Sequence, residues 1–340
     1  MTAAQGEHDA EMGLASRRPD RMDEDARVVR WTDDGWEGVR ALLMRELPER
    51  RYERTAYVRW LYEENPLGRA HAASALERGD TIAHYACVPV DYRRGASVRR
   101  FVFSLHAVTD RRAQGRGWFS RLGEEVYAQA EAAGAAGVIG VSNANSTPPV
   151  VKRLGFRLLG PLPVRVVPPL PRFSRRRAWY GEAVTAPAEA AGLLERRGAF
   201  TPHGTSGWDH YWTVSTLTWR LSAPDCGPYV VHVGDDLAVV SLSVRLAGPT
   251  RASVILKVFP LGARAGVVDA GPAIDYVRRW HRAVFSVYAG FNRRVLVRGV
   301  QPPRRLQPSP LNLIYRSLDP NLPDTAFRLD TFEFLDMDAY

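Results

Sequence analysis

The segment RRAQGRGW, residues 111–118, combines two glycines with three arginines and has the composition of an anion-binding loop. It follows an apolar strand-like run and precedes a helix-like run, so the N–H groups of the loop and of the first helical turn lack intrahelical acceptors. The glycines let a ligand approach these groups closely, while the helix N-terminus and the arginines add positive charge. The segment therefore predicts a pyrophosphate site. It matches neither the dinucleotide pattern GxGxxG nor the Walker pattern.

Two histidines have the chemistry of a general base near neutral pH. His203 is the first candidate, because it lies in the irregular segment PHGTSGW between the two halves of the chain, where a cleft is expected. His106 is the second, on the strand that leads into the loop, with Ser104 expected on the same side of that strand. For each histidine the alternative is a purely structural role, in a solvated loop or in the core.

Strand and helix patterns surround the loop in alternation. WTDDGWEGVRALLMREL and GWFSRLGEEVYAQAEAAG have helical apolar spacing, whereas TIAHYACVPVDY, RRFVFSLHAVT and GVIGVS are predicted strands. A run dense in proline and arginine, LPVRVVPPLPRFSRRR, then indicates a domain boundary. The first half is thus an α/β domain.

The second half repeats the order of the first. WLYEENPLG and WRLSAPDCG each end a helix and precede a strand pair with Gly-Asp at its turn. A chain of 340 residues is also too long for a single core. We predict a disordered leader at 1–26, a first domain at 27–170, a linker at 171–207 and a second domain at 208–340.

Composition narrows the class of partner. The formal net charge of +9 favours an anionic ligand, but no nucleic-acid-binding motif accompanies it, so nucleic acid is not expected. The N-terminus lacks the apolar stretch of a signal peptide, and no run is long enough for a membrane span, which predicts a cytoplasmic protein. Cys87 and Cys226 lack partners at metal-ligand spacing, so no metal site is expected.

The loop and a later segment together resemble a known family. Arg112-Ala-Gln-Gly115-Arg-Gly117 matches the R/Q-x-x-G-x-G/A signature of the GNAT family of acyl-CoA-dependent N-acyltransferases, and GVIGVS with NANSTPPVVKRLGF resembles the segment that closes that family's fold. The resemblance covers about residues 28–170. The second half has GPTRASVILKVFPLGARAG where a second signature would stand, so only one copy is expected to bind the cofactor.

The resemblance implies an α/β (α+β) fold of two tandem GNAT-like domains, each a mixed, mostly antiparallel sheet flanked by helices. It implies acyl-CoA as co-substrate, without a metal, and direct attack of an amine on the thioester in the cleft between the domains. The cofactor-binding residues that it implies are Val108, Arg112, Gln114, Gly115, Arg116, Gly117, Trp118, Asn143 and Asn145. The tyrosine that often serves as general acid in the family is replaced by Val151, so no acid is carried over from that position.

More narrowly, the tandem layout and the C-terminal SPLNLIYRSL and DTFEFLDMDAY segments resemble the N-acyltransferases that modify amino sugars of glycopeptide (teicoplanin-type) antibiotics. That resemblance implies a medium or long acyl chain and a glycopeptide-like amine acceptor. Aromatic residues at 208, 211 and 212 could be core packing or an apolar wall for such a ligand. Simple acetylation of another small amine and a non-catalytic acyl-CoA sensor are the alternatives, and the oligomeric state is not predicted.

Overall fold

Two sheets with helices packed on their faces make up the chain. The computed structural model describes residues 26–30, 35–47, 50–170, 179–201, 206–224, 227–246, 248–262, 266–303 and 309–337. The expected leader at 1–26 falls outside these ranges except for Ala26, and His203 and Cys226 fall outside them as well. Within the described residues, no helix is long and apolar enough to cross a membrane.

The first half contains the elements predicted around the loop. They are β1 (Ala26–Arg30), α1 (Trp36–Glu46), α2 (Thr55–Glu63), β2 (His71–Glu77), β3 (Asp80–Arg94), β4 (Ser97–Thr109), α3 (Trp118–Ala132), β5 (Gly137–Ser142), α4 (Thr147–Arg153) and β6 (Arg157–Pro161). Buried residues in α1 recur at helical spacing, at Val39, Leu42 and Leu43, and Gly79 makes the β2–β3 turn with a φ of 89° that favours glycine.

The second half repeats this order. Its elements are β7 (Val164–Val167), β8 (Glu182–Val184), α5 (Pro187–Arg196), β9 (Asp209–His210), α6 (Val214–Leu221), β10 (Val230–Val233), β11 (Leu237–Arg245), β12 (Arg251–Pro260), β13 (Val268–Asp269), α7 (Gly271–Trp280), β14 (Phe285–Asn292), β15 (Val295–Leu296), β16 (Asn312–Ser317) and β17 (Thr331–Glu333). The parallel pair β4–β5 flanks α3, and the parallel pair β12–β14 flanks α7. The prediction of two tandem copies with mixed, mostly antiparallel sheets is confirmed.

The two sheets exchange strands. The first sheet has the order β1-β2-β3-β4-β5-β16-β6, with β9 paired to β3, so a strand from the end of the chain lies inside it. The second has the order β17-β14-β12-β11-β10-β8, with β7 paired to β14. The chain therefore crosses to the second sheet between Pro161 and Val164, and returns to complete the first sheet with β16.

This exchange alters the domain division drawn from the sequence. The predicted linker at 171–207 contains β8, which pairs with β10, and α5, so the second copy begins before residue 208. The predicted first domain lacks β16, which pairs with both β5 and β6. Sequence patterns report only on residues close together along the chain, whereas the pairings of β16 join segments more than 150 residues apart in sequence.

Equivalent helices of the two copies meet at the junction. Trp60 of α2 stacks on Trp219 of α6, with ring centroids 4.6 Å apart. Each indole Nε1–H donates to the backbone carbonyl of the other tryptophan, at 3.0 and 3.2 Å. Residues that the sequence repeat places in register thus touch reciprocally, as in a two-fold symmetric interface.

A fragment that ends at residue 172 tests the exchange. It keeps the loop but loses β16, so the backbone groups of β5 and β6 that pair with that strand become unpaired. We expect no cooperative thermal transition by circular dichroism for this fragment alone, and recovery of one when residues 173–340 are co-expressed as a second chain. A melt of the lone fragment that matches the intact protein would contradict the exchange.

Candidate active site

The predicted anion loop lies between β4 and α3. Gly115 and Gly117 have φ values of 81° and 79°, and α3 begins at Trp118. A Cβ atom built on either glycine meets no heavy atom within 4 Å, so the space in front of the loop is open. The loop thus presents its backbone and the start of a 15-residue helix to a ligand.

The arginines of the loop are paired with carboxylates. The Arg116 guanidinium donates to Glu77 at 2.6 Å, and the Arg112 side chain lies 3.3 Å from Asp110. The Arg112 backbone N–H also donates to Asp110, and these bonds hold the pKa of that carboxyl below its usual range. These carboxylates therefore balance much of the positive charge expected at the loop. The backbone N–H groups are left as the main hydrogen-bond donors for a bound anion.

The other residues implied by the resemblance lie along the same edge of the sheet. Val108 is buried on β4 opposite His84, Gln114 donates to the Thr109 carbonyl at 3.4 Å, and Trp118 opens α3. Asn143 and Asn145 follow the carboxyl end of β5, which the parallel pairing sets beside the carboxyl end of β4. The Asn143 Oδ1 atom accepts from the N–H groups of residues 145 and 146, so its side chain shapes this turn.

Strands β4 and β5 part just before the loop. Their pairing runs from Val102 opposite Val138 to Ser104 opposite Gly140, whereas β4 continues to Thr109. From Leu105 onward the backbone edge of β4 that faced β5 is released from that pairing. This gap leads from the anion loop into the sheet and leaves a strand edge of β4 with which an extended chain could pair.

A β-bulge stands at the gap. His84 pairs with Val108 and Ala86 pairs with Leu105, so two residues of β4 oppose Tyr85 alone. The bulge gives His106 a φ of 51°.

The bulge also overturns the expectation that Ser104 and His106 share a side. Ser104 hydrogen bonds to Tyr85 on the face covered by α3, whereas His106 contacts Tyr62 of α2 on the opposite face. Simple alternation along a strand fails here because the extra residue shifts the direction of the following side chains.

At the equivalent helix of the second copy, a side chain already binds the described N-terminus. The Asp269 carboxylate accepts from the backbone N–H of Gly271 at 2.9 Å, at the start of α7. Pro272 in the first turn removes another N–H donor. The N-terminus of α7 therefore carries its own anion, whereas that of α3 is capped by a glycine without a side chain.

An apolar pocket lies on the α2 face, between the copies. Val88 and Val90 of β3, Phe103 and Leu105 of β4, and Trp219 of α6 contribute to its wall.

Two polar side chains in this wall, those of Asn65 and Arg220, are hydrogen bonded within the protein. The Asn65 amide donates to the Pro89 carbonyl and accepts from the Leu67 N–H, and the Arg220 guanidinium donates to the carbonyls of Leu335 and Met337. The surface that they leave for a ligand is apolar.

A buried charged cluster closes one end of this pocket, and it was not predicted from the sequence. Lys257 Nζ lies 2.8 Å from Asp336 and 3.2 Å from Glu333, and His210 Nδ1 lies 3.3 Å from Asp336. Burial raises the pKa of Glu333 to about 7, although Lys257 opposes the shift. Single charged residues far apart in sequence gave no signal of this contact.

The aromatic cluster predicted near residue 208 does not form one wall. Trp208 is buried in the core against Phe101, and Tyr211 is half-buried beside Arg93. Trp212 stacks on the His210 ring at 4.0 Å and lines the apolar pocket. Val151 lies on α4 with 36% of its surface exposed and supplies no acid, as expected.

Several solved structures have a fold similar to that of this chain. The chain is similar to a protein from Enterococcus faecalis V583 described as a "Probable N-Acyltransferase", with a TM-score of 0.60 and 11% identity over 86% of this chain and 73% of that one. It is similar to a GCN5-related N-acetyltransferase from Anabaena variabilis, with a TM-score of 0.57, 11% identity and the same two coverages, 86% and 73%.

Yeast (Saccharomyces cerevisiae) N-myristoyltransferase with bound myristoyl-CoA is also similar, with a TM-score of 0.52 and 10% identity over 88% of this chain and 84% of that one. No protein-family model matches the chain, and no curated protein matches it in sequence. The chain thus has the fold of the GCN5-related N-acetyltransferases, in two copies.

Replacing Gly117 by valine tests the loop as an acyl-CoA site. A side chain there would occupy the open space in front of the α3 N-terminus and strain a backbone with φ near 79°, so we expect acyl-CoA affinity measured by calorimetry to be lost. Gly134→Val is the matched control, because Gly134 lies at the other end of α3 with a φ of 83° and similarly open surroundings. Equal affinities of the two variants would refute the assignment.

Proposed function

We propose that the protein is an acyl-CoA-dependent N-acyltransferase. The observation that carries this proposal is the open Gly115–Gly117 loop, joined along β4 to the gap between β4 and β5. A phosphate site that continues into a strand-shaped gap suits a cofactor with a pyrophosphate at one end and an extended amide-containing arm at the other. Coenzyme A has this form.

The proposed path of the cofactor follows β4 backwards. The pyrophosphate accepts from the backbone N–H groups of Gln114 to Trp118, and the pantetheine arm pairs with β4 at Val108. The thioester then lies near the bulge at Leu105 and His106. The acceptor amine attacks the carbonyl carbon, the C–N bond forms, the C–S bond breaks, and coenzyme A leaves as a thiolate that takes up a proton.

The acyl chain is proposed to occupy the apolar pocket. Leu105 lies at the gap, and Val90 lies four residues along β3 from Ala86, the partner of Leu105, which corresponds to about 13 Å. That length accommodates a chain of roughly eight to ten carbons at C–C bonds near 1.5 Å. The internal bonding of Asn65 and Arg220 supports an apolar occupant over a sugar.

The acceptor is proposed to be the amine of an amino sugar on a glycopeptide-like molecule, entering from the junction of the two copies. Its ammonium must lose a proton before attack, and His203 is the proposed base. The closeness of the pocket to both copies supports an acceptor site built by the whole chain.

Thiol release from acyl-CoA tests the activity. Incubation of the full chain with decanoyl-CoA and a panel of amines that includes glucosamine and a glycopeptide bearing a free amino sugar should release coenzyme A only when an amine is present. Tight decanoyl-CoA binding without release on any amine would favour a sensor. Transfer from acetyl-CoA at a rate equal to that from decanoyl-CoA would favour a simple acetyltransferase.

Filling the pocket tests the chain-length assignment. Val90→Phe should weaken decanoyl-CoA binding about 10-fold or more while acetyl-CoA binding is retained, because the added ring occupies the space of the distal methylenes. Acetyl-CoA affinity serves as the internal control for folding and for the anion loop. An equal loss of affinity for both thioesters would contradict this location of the acyl chain, and so would unchanged affinity for both.

A further inference from the structure

The bulge at His106 is held by a buried chain of hydrogen-bonding side chains. His106 Nδ1 lies 2.7 Å from the Tyr62 hydroxyl, and His106 Nε2 lies 3.1 Å from the Tyr52 hydroxyl. The imidazole also packs edge-on against the Tyr52 ring at 5.1 Å. Tyr62 belongs to α2, and Tyr52 belongs to the short helical turn before it, so the bulge is tied to the helical layer.

The chain continues across the sheet. The Tyr62 hydroxyl also lies 2.9 Å from His84 Nε2 on β3, and His84 Nδ1 lies 2.8 Å from the Ser74 hydroxyl on β2. These side chains are buried, and burial together with the nearby His106 lowers the pKa of His84 to about 3. His84 is therefore a neutral ring with both nitrogens bonded, which fixes the orientation of the Tyr62 hydroxyl.

Both ring nitrogens of His106 are already occupied. The side chain is 8% exposed and faces two tyrosines, and the residue that lines the apolar pocket is its neighbour Leu105. This geometry suits a group that holds the backbone more than a group that receives a proton from an incoming amine. The backbone at this position is in the left-handed region, which is uncommon for a residue other than glycine.

We infer that His106 is a positioning residue, held by Tyr62 and Tyr52, which locks the β4 bulge so that its backbone faces the thioester carbonyl. The inference rests on the proposed function, and it assigns the two tyrosines a part in that reaction. A displacement of the bulge by about 1 Å would misalign the thioester carbonyl with the attacking amine. Misplacements of that size cost about 100-fold in rate.

Tyr62→Phe is the first test. It keeps the ring and removes the hydroxyl shared by His84 and His106, so kcat for acyl transfer should fall about 10- to 100-fold while the affinity for decanoyl-CoA and the shape of the pH profile stay the same. Tyr92→Phe is the matched control, because Tyr92 is buried in the same apolar cluster as Tyr62 and its hydroxyl has no hydrogen-bond partner among the described residues.

Hydrogen exchange provides a readout that does not require activity. In Tyr62→Phe the backbone amides of residues 105–109 should exchange about 10-fold faster than in the parent chain, and in Tyr92→Phe they should not. Unchanged exchange in Tyr62→Phe would overturn the inference. If Tyr62→Phe exchanges faster but the parent chain transfers no acyl group, the anchoring of the bulge is supported and the proposed function is refuted.

Substitution of His106 itself separates positioning from base catalysis. Asparagine tolerates a left-handed backbone and keeps a polar group near Tyr62, so His106→Asn should retain several-fold more activity than His106→Ala. A base would be lost equally in both variants, and the remaining activity would then rise with pH as the free amine accumulates. Equal activities of the two variants with such a pH dependence would overturn the positioning role.

Discussion

The parting of β4 from β5 after Ser104 is the constraint on which the rest of the structure depends. A sheet normally satisfies its backbone groups by pairing, and here one strand edge leaves that pairing in the middle of the first sheet. Strand β16 supports β5 from the other side and keeps the far half of the sheet in place while the gap stays open. The anion loop, the bulge and the apolar pocket are all positioned by this one opening.

The two copies of the fold have different roles, one at the proposed cofactor site and the other in supporting it. In the first copy a glycine precedes α3 and leaves its N-terminus open, whereas in the second copy the Asp269 carboxylate accepts from the first N–H of α7. The second copy instead contributes structure: β16 enters the first sheet, Trp219 stacks on Trp60, and α6 helps to wall the pocket. One copy carries the proposed cofactor site, and the other completes it.

The parts that the sequence predicts well are local. The Gly-Asp turns, the helix that follows the Gly115–Gly117 loop and the repeated order of elements depend on residues close in sequence, and the structure confirms them. The strand exchange depends on partners more than 150 residues apart, and the Lys257–Asp336 contact on partners 79 apart. The relative orientation of Ser104 and His106 was missed for a different reason, because a single extra residue in β4 reverses an alternation that the sequence pattern assumes.

A crystal structure of the full chain with decanoyl-CoA would test the central claim most directly, because it locates the pyrophosphate and the acyl chain in one experiment. We expect one cofactor per chain, with the pyrophosphate on the backbone amides between Gln114 and Trp118 and the acyl chain between Val90 and Leu105. A cofactor bound at the N-terminus of α7, or one whose acyl chain lies outside the apolar pocket while the pantetheine avoids the gap between β4 and β5, would contradict it.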